Sequence, residues 1–138
     1  MGSKTVVLNR PETTMPPKVR VLIADDHLLF GEALEAILES DLRIEVVGHA
    51  RDGEEAVERA LALEPDVVLM DIAMPVIDGV EAMERILEKH RRARILVLTG
   101  SNSRSDVARA RAAGAAGYVT KDRIAAQLIE AILDVASN

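Results

Sequence analysis

Val67-Val68-Leu69-Met70-Asp71, continued by Ile72-Ala73-Met74-Pro75 and the turn pair Asp78-Gly79, is the stretch from which the fold can be read. Four apolar residues, two of them β-branched, run straight into a carboxylate. That is the pattern of a strand buried on both faces with an acid at its carboxyl end. In an open α/β sheet, chemistry collects at that edge, where loops rather than packed side chains meet solvent. An earlier run, Val19-Arg20-Val21-Leu22-Ile23-Ala24, ends in Asp25-Asp26 in the same way. Two later runs end at Thr99 and just before Lys121.

Outward from this strand, the chain alternates between periods of two and 3.6. Leu28 to Glu39 carries apolar residues at helical spacing, and Asp26 is a candidate amino cap for it. Ile44 to Ala50 reads as a second strand, Asp52-Gly53 as the turn into a helix over Glu54 to Leu63, and Pro65 as its end. A third helix starts at Gly79 with Val80, Met83, Ile86 and Leu87 inward and leaves through a basic exit, Lys89 to Arg94. Ile95 to Leu98 is the fourth strand. The helix expected from about Ser103 to Ala113 is rich in Ala and Arg, which predicts loose anchoring. Gly114 ends it, Ala116 to Val119 forms a short fifth strand, and a last helix over about 124–135 places Ile124, Leu128, Ile132 and Val135 on one stripe. Five strands alternating with five helices through short connections imply right-handed crossovers and a parallel sheet.

Composition bounds the function classes. With 138 residues, 49% of them hydrophobic, the chain fits one domain able to bury its own core. Residues 1–17 hold three prolines and no sustained period, so they read as a flexible tail, with Val6-Val7-Leu8 as a conceivable edge strand; residues 18–138 read as the domain. Cysteine is absent, which excludes disulfides and thiolate metal sites and is compatible with a reducing compartment. A formal charge of -6, one Phe, one Tyr and no Trp argue against nonspecific nucleic-acid binding and leave almost nothing to stack bases on. No run is long enough for a membrane span and no signal-type segment opens the chain, so the expected location is cytoplasmic and the expected partners are proteins.

A doubly wound sheet would bring Asp25, Asp26, Asp71, Thr99 and Lys121 to one edge. Three carboxylates that close repel one another and need a cation. A hard divalent ion suits oxygen ligands, and Mg²⁺ suits them best because it binds one or two carboxylates, keeps waters and takes a phosphate oxygen. With a lysine and a hydroxyl beside it, such a site meets the needs of an incoming phosphoryl group: Asp71 attacks phosphorus in line while cationic groups offset charge on the equatorial oxygens. Thr99 would donate a hydrogen bond to the phosphoryl group, and its movement would leave space for Tyr118 to turn inward.

The set Asp25-Asp26, Asp71-Ile72-Ala73-Met74-Pro75, Asp78-Gly79, Thr99 and Gly117-Tyr118-Val119-Thr120-Lys121 strongly resembles the receiver domain of two-component response regulators, from about Lys18 onward. The wording ADDHLLFGEALEAIL and GAAGYVTKD looks most like the NarL/FixJ (LuxR-type) group, whose members usually carry a carboxyl-terminal helix-turn-helix. The resemblance implies a flavodoxin-like (βα)5 fold, a doubly wound five-stranded parallel sheet in the order 2-1-3-4-5. It also implies Asp71 as phosphoacceptor, and Asp25, Asp26, Asp71 and the Ala73 backbone carbonyl as Mg²⁺ ligands. Lys121 would be the phosphate-facing lysine, and Thr99 and Tyr118 the switch pair. A histidine kinase is the implied phosphoryl donor, a homodimer is a plausible assembly, and DNA would be reached only through a helix-turn-helix absent from these residues. The chain is then either a single-domain regulator or a receiver cut from a DNA-binding protein, and it is no enzyme beyond self-catalysed phosphotransfer and dephosphorylation.

Some positions depart from the commonest pattern. Gly100 stands where Ala is frequent, which would loosen the loop, and Asp122 stands where many receivers have Pro, so a trans bond is expected after Lys121. Ala73 and Ser101 are small, so their side chains are not expected to assist phosphate hydrolysis. Blander readings stand beside these: Asp71 as a loop cap, Asp25-Asp26 as a turn, Thr99 as a strand end, Lys121 as a solvated charge, Tyr118 as a static core residue. His27 reads as structural or solvent-facing because an oxygen-seeking ion gives it little role. Arg104, Arg109, Arg111 and Arg123 read as a solvated face. Two other functions stay open, a docking module indifferent to phosphorylation and a flavodoxin-like nucleotide-binding enzyme, although the first strand-helix turn lacks a Gly-rich cradle.

Overall fold

The computed structural model describes residues 17–100 and 104–137; the expected tail, apart from Pro17, the Val6-Val7-Leu8 strand and Ser101 lie outside them. The elements follow in the order β1 Val19–Ala24, α1 Leu28–Glu39, β2 Ile44–Ala50, α2 Gly53–Leu63, β3 Val67–Asp71, α3 Gly79–Lys89, β4 Arg94–Thr99, α4 Arg104–Ala112, β5 Gly117–Thr120 and α5 Ile124–Ala136, with a single 3-10 turn, Lys121–Arg123, before α5. The five strands are parallel and lie in the order β2-β1-β3-β4-β5. This is the doubly wound arrangement expected from the alternation. All five residues of β3 are buried, because the strand is central and covered on both faces.

The alternation of side chains across the sheet divides the core in two. On one face Leu22, Val68, Met70, Ile95 and Val97 pack with Ala56 and Ala60 of α2, Met83 and Ile86 of α3, and Ala110 of α4. On the other, Val21, Ile23, Leu69, Leu96 and Leu98 pack with Leu34 and Leu38 of α1 and with Leu128, Ile132 and Val135 of α5. The stripe read for α5 is the buried one, Ile124, Leu128, Ile132 and Val135. Ala110 is the single buried residue of α4, so this helix is the least anchored, as its composition suggested.

Helix ends follow local chemistry. Asp52 accepts the Glu55 N–H at 2.8 Å and caps α2, and Asp78 accepts the Glu81 N–H at 2.9 Å and caps α3. Glu64, left-handed at φ 48°, closes α2 just before Pro65. Gly114, at φ 105°, does the same after α4, where a side chain would be strained. One capping expectation is corrected. The residue preceding α1 is His27, with no side-chain cap, and its N–H is taken by Asp25 at 2.7 Å. Asp26 is therefore not used as a cap.

The chain leaves β1 for β2 on one side and crosses to β3 on its other side, so the topological switch point lies between the carboxyl ends of β1 and β3. Asp25-Asp26 follow the first of these strands and Asp71 ends the second. Among the described residues no helix is long and apolar enough to cross a membrane.

Candidate functional site

Asp71 is buried at the end of β3, and both of its oxygens are engaged. Oδ1 accepts the Ala73 N–H at 3.0 Å and Oδ2 accepts from Lys121 Nζ at 3.1 Å. The loop after β3 turns back at once because Gly79 packs on the Asp71 backbone: a Cβ there would lie 2.6 Å from the Asp71 carbonyl oxygen and 2.8 Å from Ile72 Cα. Within that loop Val76 adopts φ 73°, a left-handed conformation that a β-branched residue rarely takes. Backbone strain of this kind recurs in functional loops.

Lys121 opens the 3-10 turn directly after β5, which carries its ammonium back across the sheet edge to Asp71. The same Nζ lies 5.0 Å from the centre of the Phe30 ring on α1. A cation over an aromatic face is held electrostatically, so Phe30 helps to fix the lysine on the acid side.

Asp25 is 5% exposed, and its Oδ2 is, among the described residues, a buried side-chain oxygen with no hydrogen-bond partner. Its carboxyl is pushed above the ordinary 3.8, first by burial and then by the Asp71 charge beside it, against the opposing effects of the His27 N–H and Lys121. Asp26 is partly exposed beside it, and His27 Nδ1 lies 3.2 Å from Asp26 Oδ1 and 3.5 Å from Asp25 Oδ1. One ligand atom from each of Asp25, Asp26, His27 and Asp71 falls within 4.8 Å of all the others. Three carboxylates gathered this closely, one with an orphaned buried oxygen, fit a metal ion: the cation would satisfy the oxygen and remove the repulsion.

Thr99 is buried at the end of β4, opposite Thr120 on β5. Ala73 is exposed in the loop two residues past Asp71. Tyr118 is not brought to the acids. It stands 45% exposed on β5, where it lines a cavity of about 270 Å³ with Val107, Ala110 and Arg111 of α4. A static core role for Tyr118 is thereby removed. The bond after Lys121 is trans, since no cis peptide occurs among the described residues.

Two contacts escaped the sequence reading. Phe30 gave only the signal of an apolar residue in the first turn of α1. Arg109, read as part of a solvated face, instead reaches Asp78 Oδ2 at 3.0 Å and ties α4 to the loop that follows Asp71. Asp78 is held below the usual carboxylate range, first by the Glu81 N–H that it caps and then by Arg109. A pair separated by 31 positions leaves no local pattern.

Comparison with known proteins agrees with this geometry. A family model described as response regulator receiver domain matches residues 21–133. The transcriptional regulatory protein DegU of Brevibacillus brevis is 41% identical over 119 residues, covering 86% of this chain and 50% of that protein. The nitrate/nitrite response regulator protein NarL of Escherichia coli K12 is 35% identical over 117 residues, covering 85% of this chain and 54% of that protein. The chain thus spans about half the length of these curated relatives. The signal receiver domain of the NarL response regulator from Mycobacterium tuberculosis superposes with a TM-score of 0.85 at 36% identity, covering 89% of this chain and 99% of that one. With its sheet order, its acidic cluster at the switch point and these matches, the chain belongs to the response regulator receiver domains, in the NarL/FixJ (LuxR-type) group.

Proposed function

We propose that the chain takes a phosphoryl group from a histidine kinase onto Asp71, with Mg²⁺ held by Asp25, Asp26, Asp71 and the Ala73 carbonyl, and that it works in the cytoplasm. The observation that carries this reading is the setting of Asp71: a buried carboxylate between the Lys121 ammonium and two further acids, at the sheet edge. Held there, Mg²⁺ would supply the positive charge that offsets the acids and favours a phosphoryl oxygen in the site.

The chain's own groups do the rest. The Ala73 N–H and Lys121 orient the Asp71 carboxylate before the donor arrives. An Asp71 oxygen forms the new bond to phosphorus while the bond from phosphorus to the donor's imidazole nitrogen breaks, and that nitrogen takes up a proton on leaving. Lys121 then offsets charge on the transferred oxygens. Thr99, at the neighbouring strand end, donates its hydroxyl to the new phosphate. Its displacement opens the space into which Tyr118, now over the α4 cavity, turns. The phosphate state is thus passed to α4, whose single buried residue is Ala110.

The test is incubation with a small phosphodonor and Mg²⁺. One phosphate should be added per chain, seen by intact mass, and Asp71→Asn should remove it. Labelling that survives Asp71→Asn sinks the assignment. Output through transcription is the reading supported by the relatives' names and would use a DNA-binding part beyond the matched region, with dimerisation of receivers as the means. Phosphorylation that leaves both the sedimentation of the receiver and the DNA affinity of the full regulator unaltered would count against it.

A further inference from the structure

Lys121 is held by two groups of different kind. Its Nζ lies 3.1 Å from Asp71 Oδ2 and, on the Phe30 side, 5.0 Å from the centre of the ring. The carboxylate holds the ammonium by charge and a hydrogen bond, the ring by the negative potential of its face. The first of these is the reacting group itself. When an Asp71 oxygen bonds to phosphorus, the carboxylate gives up its charge, and Lys121 has to swing onto the transferred oxygens. At that moment water competes for the lysine, whose stem is flexible and whose side chain is 30% exposed. The ring takes no part in bond making and is fixed from behind. Phe30 stands four and eight residues before Leu34 and Leu38, both buried on α1, and packs against the same core. It thus offers the ammonium a surface that is the same before and after transfer.

We propose that Phe30 is a positioning residue for phosphoryl transfer, which confines the Lys121 ammonium to the arc between Asp71 and the incoming phosphoryl oxygens. The inference rests on the reading of Asp71 as phosphoacceptor. Phe30 brings neither charge nor a titratable group, so it acts through Lys121: the lysine is already beside the reacting atoms when the donor arrives, and that part of the ordering is not left to the transfer step. Two consequences set this role apart from plain core packing. An aromatic ring serves at position 30 and an aliphatic side chain does not, since only the ring has a negative face. The effect of the ring also vanishes when Lys121 is absent.

The test is a phosphorylation time course with acetyl phosphate and saturating Mg²⁺ for the parent, Phe30→Leu, Phe30→Met and Phe30→Tyr, with the two aliphatic replacements repeated on Lys121→Ala. The aliphatic variants should accept phosphate roughly five- to twentyfold more slowly, and Phe30→Tyr should restore the parent rate to within about twofold. Mg²⁺ affinity should stay near that of the parent, because the charge of Lys121 is still present. On Lys121→Ala the aliphatic replacements should slow the reaction no further. NMR of the metal-free chain gives a second readout: the Lys121 Cε protons should be shifted upfield by the ring in the parent and in Phe30→Tyr, and return downfield in the aliphatic variants. Parent rates in the aliphatic variants, equal slowing with and without Lys121, a Tyr variant as slow as the Leu variant, or no ring shift in the parent would each overturn the role of Phe30. If the parent takes up no phosphate, the reading of Asp71 fails and this inference fails with it, whatever the lysine protons show. Thermal melts identify folded variants, and the parent's own ring shift tests the contact without any substitution.

Discussion

Lys121 Nζ and Asp71 Oδ2, 50 positions apart in the chain, lie 3.1 Å from each other at the sheet edge. Removing the ammonium leaves Asp71 without its cation beside the buried Asp25. Lys121→Ala should therefore bind Mg²⁺ more tightly, since a competing positive charge is gone, and yet accept phosphate from a small donor roughly a hundredfold more slowly. Calorimetry and a phosphorylation time course read the two effects. A rate within a few-fold of the parent would remove Lys121 from the reaction.

Asp25 is ionised at a cost. Burial, the largest cause, holds its carboxyl above 3.8 in the folded chain, so the folded state binds that proton more tightly than the unfolded state. Its stability contribution is present in full below the unfolded value and is lost as the pH rises through the folded value. Asp25→Asn should remove that slope and stabilise the metal-free protein at neutral pH by about 1 to 3 kcal/mol, while weakening Mg²⁺ binding. Urea denaturation at several pH values, with and without Mg²⁺, checks both signs.

Gly79 and Gly100 should respond oppositely to alanine. A Cβ at Gly79 meets backbone atoms at 2.6 and 2.8 Å that cannot yield without moving Asp71, so Gly79→Ala should lose about 1 to 3 kcal/mol and slow phosphorylation. A Cβ at Gly100 meets nothing within 4 Å, so Gly100→Ala should stay within about 0.5 kcal/mol, on the stabilising side. Equal losses at the two positions would show that the approach of α3 to Asp71 is not tight.

Val76 is 70% exposed at φ 73°, so it contributes little burial while bearing a left-handed backbone. Val76→Asn, which suits that conformation, should stabilise the chain by about 1 kcal/mol. A loss of stability in chemical denaturation would mean that the loop has another conformation in solution.

The Arg109 bond to Asp78 is exposed, so Arg109→Ala should cost at most about 1 kcal/mol. Its mark should be kinetic. Amide exchange in α4 should speed up, while the Asp78 carboxyl, held mainly by the Glu81 N–H, stays below its ordinary value. Carboxyl titration by NMR that shows a full return to the ordinary value would assign the effect to Arg109 instead.

The order of elements, the burial of Val67 to Asp71 and the stripe of α5 were legible in the sequence by itself. Periodicity and turn chemistry are local, and a strand covered on both faces has no polar position to hide its pattern. The acids at the ends of β1 and β3 were legible for the same reason: alternating βα units place strand ends on one edge whatever the loops do. Only the tertiary structure decided how those side chains meet. It gave the Asp25 carboxylate rather than Asp26 to the His27 N–H, set Phe30 under Lys121, turned Tyr118 outward over α4, and joined Arg109 to Asp78. These depend on rotamers and on approaches between segments far apart in the chain, and no spacing along the sequence records them.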